Sequence, residues 1–83
     1  MSRTIQSPRH EALRAFLVEK RKKAGLTQAV VAKSLGRHQS FVATVESGQR
    51  RIDVIELLDF ADPIGFDPHA AIRNLLKVPQ GKD

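Results

Sequence analysis

The sequence predicts an all-α fold, a compact domain of five short helices, and three observations predict it. Apolar residues recur at three- and four-residue intervals and nowhere alternate as a half-buried strand requires. Helix-entry residues (Ser7, Thr27, Asp53, Asp67) and helix-stopping glycines (Gly25, Gly36, Gly48) punctuate these runs. The composition is rich in Leu, Ile, Val and Ala, with four Phe and neither Trp nor Tyr, which suits a small helical core. The 83 residues allow one such core, and the absence of Cys excludes a disulfide frame or a thiolate metal site.

The elements follow in order. Residues 1–7 show no periodicity and are expected to form a flexible N-terminal arm, with Ser7 also placed to cap a first helix entered through Pro8. That helix carries Leu13, Phe16, Leu17 and Ala24 at helical spacing and ends in Lys20-Arg21-Lys22-Lys23, where cations suit the helix dipole. Thr27 caps a second helix whose Val31, Ala32 and Leu35 share one face before Gly36 stops it. After a short turn a third helix runs from about Gln39 to Ser47, with Val42, Val45 and Phe41 inward and Gln39, Ser40, Ala43 and Thr44 outward. Asp53 and Glu56 form a capping-box start for a fourth helix, which is expected to send Val54, Leu57, Leu58 and Ala61 to the core and to end or kink near Asp62, ahead of Pro63. Asp67-Pro68 opens a fifth, carrying Ile72, Leu75 and Leu76, and residues 79–83 are expected to be a flexible tail. The folded domain is thus expected over residues 8–78.

Charge is distributed unevenly. The chain carries +5 overall, but residues 1–51 hold 11 Lys and Arg against 3 Asp and Glu, a balance of +8, whereas residues 52–83 hold 3 against 6, a balance of −3. The basic part is where a polyanion should dock, and the acidic part is left for other work.

Function is concentrated between Leu26 and Gly48. A tight pair of helices needs a small residue at the crossing, here Ala32, and a flexible one at the turn, here Gly36. Such a pair leaves its second helix exposed along one side, at a width that fits the major groove. Gly25-Leu26-Thr27-Gln28, Val31-Ala32, Leu35-Gly36 and Val45-Glu46-Ser47-Gly48, followed by basic residues, together resemble the phage repressor and Cro helix-turn-helix regulators, the XRE family. The resemblance runs from about Leu13 to Leu76. It implies a lambda-repressor-like five-helix domain with the helix at 39–47 as recognition helix, Gln28 as a phosphate contact, and Arg21 with Glu46 as a structural ion pair. The sequence departs from the family at His38, where Ser or Thr is common, at Lys20, often apolar, and at Pro63, where the fourth helix often continues.

On chemical grounds Gln39, Ser40, Ala43 and Thr44 are the base-reading candidates: Gln pairs with adenine, Ser and Thr bond several bases, and Ala permits close approach. Otherwise they form a solvated polar face. Gln28, Arg37, His38, Arg50 and Arg51 are the backbone-contact candidates. The alternatives are that Gln28 caps its own helix and that the arginines only confer solubility. Lys20, Lys22 and Lys23 are sufficiently explained by the helix dipole. The C-terminal helices carry a surplus of apolar residues, Ile55, Phe60, Ile64, Phe66, Ile72, Leu75 and Leu76. They either pack within the monomer or, with Ile72, Leu75 and Leu76 as the seam, pair with a second copy.

An enzyme finds little support. His10, His38 and His69 have no metal-ligand spacing, there is no phosphate loop or nucleophile elbow, and Asp59 with Asp62 reads as an exposed helix face. No cofactor and no small-molecule substrate are implied. With neither a signal-peptide pattern nor a membrane span, the expected setting is the cytoplasm. The expectation is a homodimeric, sequence-specific regulator, a repressor, bound to an inverted-repeat operator in double-stranded DNA. The rival is a protein-interaction module, such as an antitoxin or mobile-element adaptor, on the same scaffold. RNA binding is disfavoured by the lack of Tyr, Trp and RNP-like motifs.

Overall fold

The computed structural model describes residues 7–80 and arranges them as α1 (Pro8–Lys23), α2 (Gln28–Leu35), α3 (Gln39–Glu46), α4 (Val54–Ile64) and α5 (Pro68–Leu76). The arm expected over 1–7 lies outside the described residues except for Ser7, and the tail expected over 79–83 is described only as far as Gln80.

Each helix begins for a local reason. The Ser7 hydroxyl accepts from His10 N–H, Thr27 from Val30 N–H and Asp67 from His69 N–H, each meeting one of the orphan donors of a first turn. Asp53 and Glu56 exchange side-chain and backbone hydrogen bonds as a full capping box. α3 is the exception: His38 supplies no side-chain cap. Gly36 and Gly65 close α2 and α4 in the left-handed conformation, at φ 69° and 86°, which glycine adopts without steric penalty.

Leu17 of α1, Val31 and Ala32 of α2, Val42 and Val45 of α3, Leu57, Phe60, Ala61 and Ile64 of α4, Phe66 and Ala71 form the core. Phe60 stacks on Phe41 with centroids 6.0 Å apart, and Phe66 meets Phe16 edge-to-face at 5.2 Å.

Three expectations are corrected. Val54 and Leu58 are 67% and 45% exposed rather than in the core, because α4 turns Phe60 and Ile64 inward instead. Of the apolar surplus, Phe60, Ile64 and Phe66 pack within the monomer, the first of the two alternatives. Pro63 does not end α4. The helix continues to Ile64, since a proline one residue from the end forfeits one intrahelical donor while Gly65 N–H still bonds Ala61 O at 2.8 Å. Ala24 is the exposed C-cap of α1 rather than part of its inner stripe.

Candidate nucleic-acid interface

α2 and α3 pack through Val31, Ala32, Val42 and Val45, all almost fully buried, so the relative placement of their outer faces is set by close-packed side chains. Beneath that face lies an ion pair. Arg21 of α1 donates through Nε to Glu46 Oε2 at 2.6 Å and through Nη2 to Oε1 at 2.9 Å, and its Nη1 reaches Leu26 O at 2.8 Å. Both partners are buried, and the carboxylate raises the pKa of the guanidinium it bonds.

The pair continues outward. Gln28 Nε2 donates to Glu46 Oε1 at 2.9 Å, and Gln39 Nε2 donates to Gln28 Oε1 at 2.8 Å. The direction of this chain is chemically forced. An ionised carboxylate only accepts, so Gln28 must turn its NH₂ inward and its oxygen outward, and Gln39 must then offer its own NH₂. Side chains of three helices are thus linked, from α1 and the end of α3 through the start of α2 to the first turn of α3. Gln28 does not cap α2, a role taken by Thr27.

Farther along α3, Ser40 is exposed while Ala43 and Thr44 are half-buried. The Thr44 hydroxyl donates to Phe41 O at 2.9 Å, so outward it retains an acceptor oxygen and a methyl group. His38 is exposed at the uncapped start.

A family model described as a helix-turn-helix domain matches residues 12–75. An XRE-family like protein from Pseudomonas syringae pv. tomato is 48% identical over 83% of this chain and 84% of its own, with a TM-score of 0.78. The chain belongs to the XRE-type helix-turn-helix family. The restriction-modification controller protein C.AhdI from Aeromonas hydrophila is similar at 30% identity, over 80% of this chain and 94% of its own, with a TM-score of 0.67. The clp gene regulator ClgR from C. glutamicum, at 19% identity over 83% of this chain and 90% of its own, shares the fold at a TM-score of 0.75. No curated protein sequence matches significantly.

Within this XRE-type domain the three arginines proposed from the sequence differ in their surroundings. The Arg37 guanidinium lies 3.8 Å from the centroid of Phe41, half-exposed, with Glu56 3.8 Å away. Arg50 is bound more firmly. It donates through Nη1 and Nη2 to the two Glu56 oxygens at 3.1 Å each, bonds Arg51 O at 2.8 Å, and lies 4.8 Å from the Phe41 centroid. Arg50 beside it, with the Asp53 N–H, holds the Glu56 carboxyl below its ordinary pKa. Arg51 is exposed.

Sequence reasoning used Phe41 only as a core residue and Glu56 only as a cap. The structure makes both a platform for two arginines, a role whose only sequence signal is that Arg50 and Glu56 stand six residues apart across a turn. His10 was weighed only as a metal ligand, and Arg14 was not singled out. Of the seam candidates, Ile72 and Leu76 are 43% and 68% exposed and Leu75 is half-buried; Ile55, counted in the apolar surplus, is exposed on α4, as are Val54 and Leu58, which were expected in the core. Among the described residues no three His, Cys, Asp or Glu side chains come together as a metal site, and no helix is long and apolar enough to cross a membrane.

Proposed function

We propose that this chain is a sequence-specific transcriptional regulator, a non-enzymatic repressor in the cytoplasm, which seats α3 in the major groove of double-stranded DNA. The observation that carries this reading is the one-way hydrogen-bond chain from Glu46 through Gln28 to Gln39. It leaves Gln39 with its amide oxygen and a second N–H beside one another on the outer face. An acceptor next to a donor complements the N6 amine and N7 of adenine, and the side chain is already ordered before DNA arrives. Ser40 and Thr44 continue the reading face, and Ala43 keeps it shallow. Repression needs only that the occupied groove be closed to other proteins.

Backbone contacts come from around this face. Gln28 retains a second N–H for a phosphate oxygen, His38 stands at the uncapped start of α3, and Arg37 and Arg51 carry guanidinium groups at the edge. Arg50 acts mainly by holding that edge through Glu56, with Phe41 beneath it.

The reading includes a homodimer. Ile72 of α5 lines a shallow apolar groove with Val54 and Leu58 of α4, and Leu76 is exposed farther along α5, with Leu75 half-buried, apolar surface that a second copy would cover. A two-fold pair would set the recognition helices about 34–36 Å apart and select an inverted repeat with half-site centres about 10 base pairs apart.

Selection of bound sequences from a random duplex pool tests this directly. An enriched inverted repeat is the expected result. A chain not retained on any duplex at low salt would instead be the protein-interaction module.

A further inference from the structure

His10, Arg14 and Arg21 fall at i, i+4 and i+11 on α1, one stripe of a helix with 3.6 residues per turn, with buried Leu17 between them. All three reach the C-terminal end of α3. Arg21 takes the Glu46 carboxylate, whereas the other two take the main chain. Arg14 Nη1 donates to Glu46 O at 2.9 Å, and His10 Nε2 donates to Gly48 O at 3.1 Å. A carbonyl only accepts, so the proton of this contact is on the histidine.

The last carbonyls of a helix lack intrahelical partners and carry the negative end of its dipole. Arg14 puts a cation there, and His10 bonds the carbonyl of Gly48, two residues past the last helical one. Neither side chain is loose. Glu11 holds Arg14 through bonds of 3.0 and 2.6 Å, and His10 is only 8% exposed. The fit also fixes Gly48. At φ +85° it is already left-handed, and a Cβ there would lie 3.3 Å from Arg14 Cδ and 3.9 Å from His10 Nε2.

We propose that His10 and Arg14 are positioning residues for DNA recognition: they fix the exit end of α3 and the path of the chain toward Arg50 and Arg51. The inference rests on α3 being the recognition helix. Eight residues are little more than two turns, too few to hold a course unaided. The first turn is tied by Gln39 to Gln28, and the last by α1. Thr44 belongs to the end that α1 ties: its carbonyl accepts from Gln49 N–H at 3.0 Å and from the Ser47 hydroxyl at 3.1 Å. Loosening that end shifts the main chain around Thr44, while Arg21 keeps the Glu46 carboxylate, and through it Gln28 and Gln39, in place.

The test uses the full chain. Arg14→Met keeps the packing stem and removes the bonds, His10→Leu removes the other donor, and His10→Gln restores an N–H of similar reach. Helicity and thermal unfolding establish the folded fraction; affinities for the selected and random duplexes are then measured across salt concentrations, and each variant's base preferences are selected anew. Arg14→Met is expected to lower the selected-to-random affinity ratio by about tenfold, the scale of one hydrogen bond to a charged group. Preference opposite Thr44 relaxes, preference opposite Gln39 persists, and the salt slope on random DNA is unchanged. His10→Leu behaves alike and His10→Gln retains the ratio. If His10→Leu does not fold, Arg14→Met decides, because its side chain is 30% exposed. A lower melting temperature with an unchanged ratio would make both residues merely structural and overturn the proposal. A salt slope reduced by about 1 in Arg14→Met would make Arg14 a phosphate contact and overturn it as well. A wild-type chain with no preference among duplexes would show instead that the reading beneath it fails.

Discussion

The outer face of α2 and α3 and the outer face of α4 and α5 are both surfaces that the folded monomer leaves in water, yet they are built in opposite ways. The first presents polar side chains tied by hydrogen bonds to a buried ion pair, with Gln39, Gln28, Glu46 and Arg21 forming one connected set. The second presents Val54, Ile55, Leu58, Ile72 and Leu76, apolar groups that hydrogen bonds do not orient. A polar reading face must be ordered in advance because its information lies in the direction of its donors and acceptors. An apolar face needs only shape and area, and gains them when it is covered.

Damage from beneath separates the two faces most strongly. Arg21→Met leaves Glu46 buried without its cation and is expected to cost about 3 kcal/mol of stability, read as a lower urea midpoint. The apolar face has no such foundation. Leu76→Asp is expected to remain folded and become monomeric by sedimentation, because Leu76 is 68% exposed. Its affinity for a full operator should fall about 100-fold, toward that for a half-site. Unfolding of Leu76→Asp, or a wild type that is monomeric at high concentration and selects an unrepeated site, would remove the two-fold pairing from the comparison.

A substitution on the polar face itself should act on discrimination. Gln39→Ala is expected to lose about 1–3 kcal/mol on the selected duplex and much less on random DNA, with near-wild-type thermal stability. Equal losses on both duplexes would mean that Gln39 does not read a base. The edge of the face responds to acid. Arg50 and the Asp53 N–H lower the folded-state pKa of Glu56 beneath its ordinary 4.5, so their contribution to stability is complete above that value and is lost as pH falls through the folded one. Glu56→Gln should therefore flatten the acid arm of the stability profile in urea titrations below about pH 5. The smallest effect belongs to Arg51→Ala, which should lower the salt slope of binding by about 1 and leave base preference unchanged.

The polar half was the more legible in the sequence. Thr27, Gly36 and the three- and four-residue spacing of apolar residues from Val31 to Val45 place α2 and α3 within a residue of their observed bounds. α4 was harder for a definite reason. Val54, Leu57, Leu58, Ala61 and the series Leu57, Phe60, Ala61, Ile64 have the same i, i+3, i+4, i+7 spacing, and both are apolar throughout. Periodicity cannot choose between them. The structure adopts the second, which places the ring of Phe60 against Phe41. The distant partners of His10 and Arg14 were illegible because each is a main-chain carbonyl, and sequence spacing carries no mark of a carbonyl made available 30 or more residues away; the bond of Glu56 to Arg50 depends on the path of the turn between α3 and α4, which spacing does not specify.

The carboxylate of Glu46 acts as a grammatical rule for the surface above it. An amide side chain reads the same to packing forces whichever way it is flipped, so two glutamines alone could be spelled in either sense. The acid below admits one spelling, and Gln28 copies it to Gln39. Glu46→Gln would keep the shape and erase the rule. The meaning of the outermost residue is thus set by one buried below it.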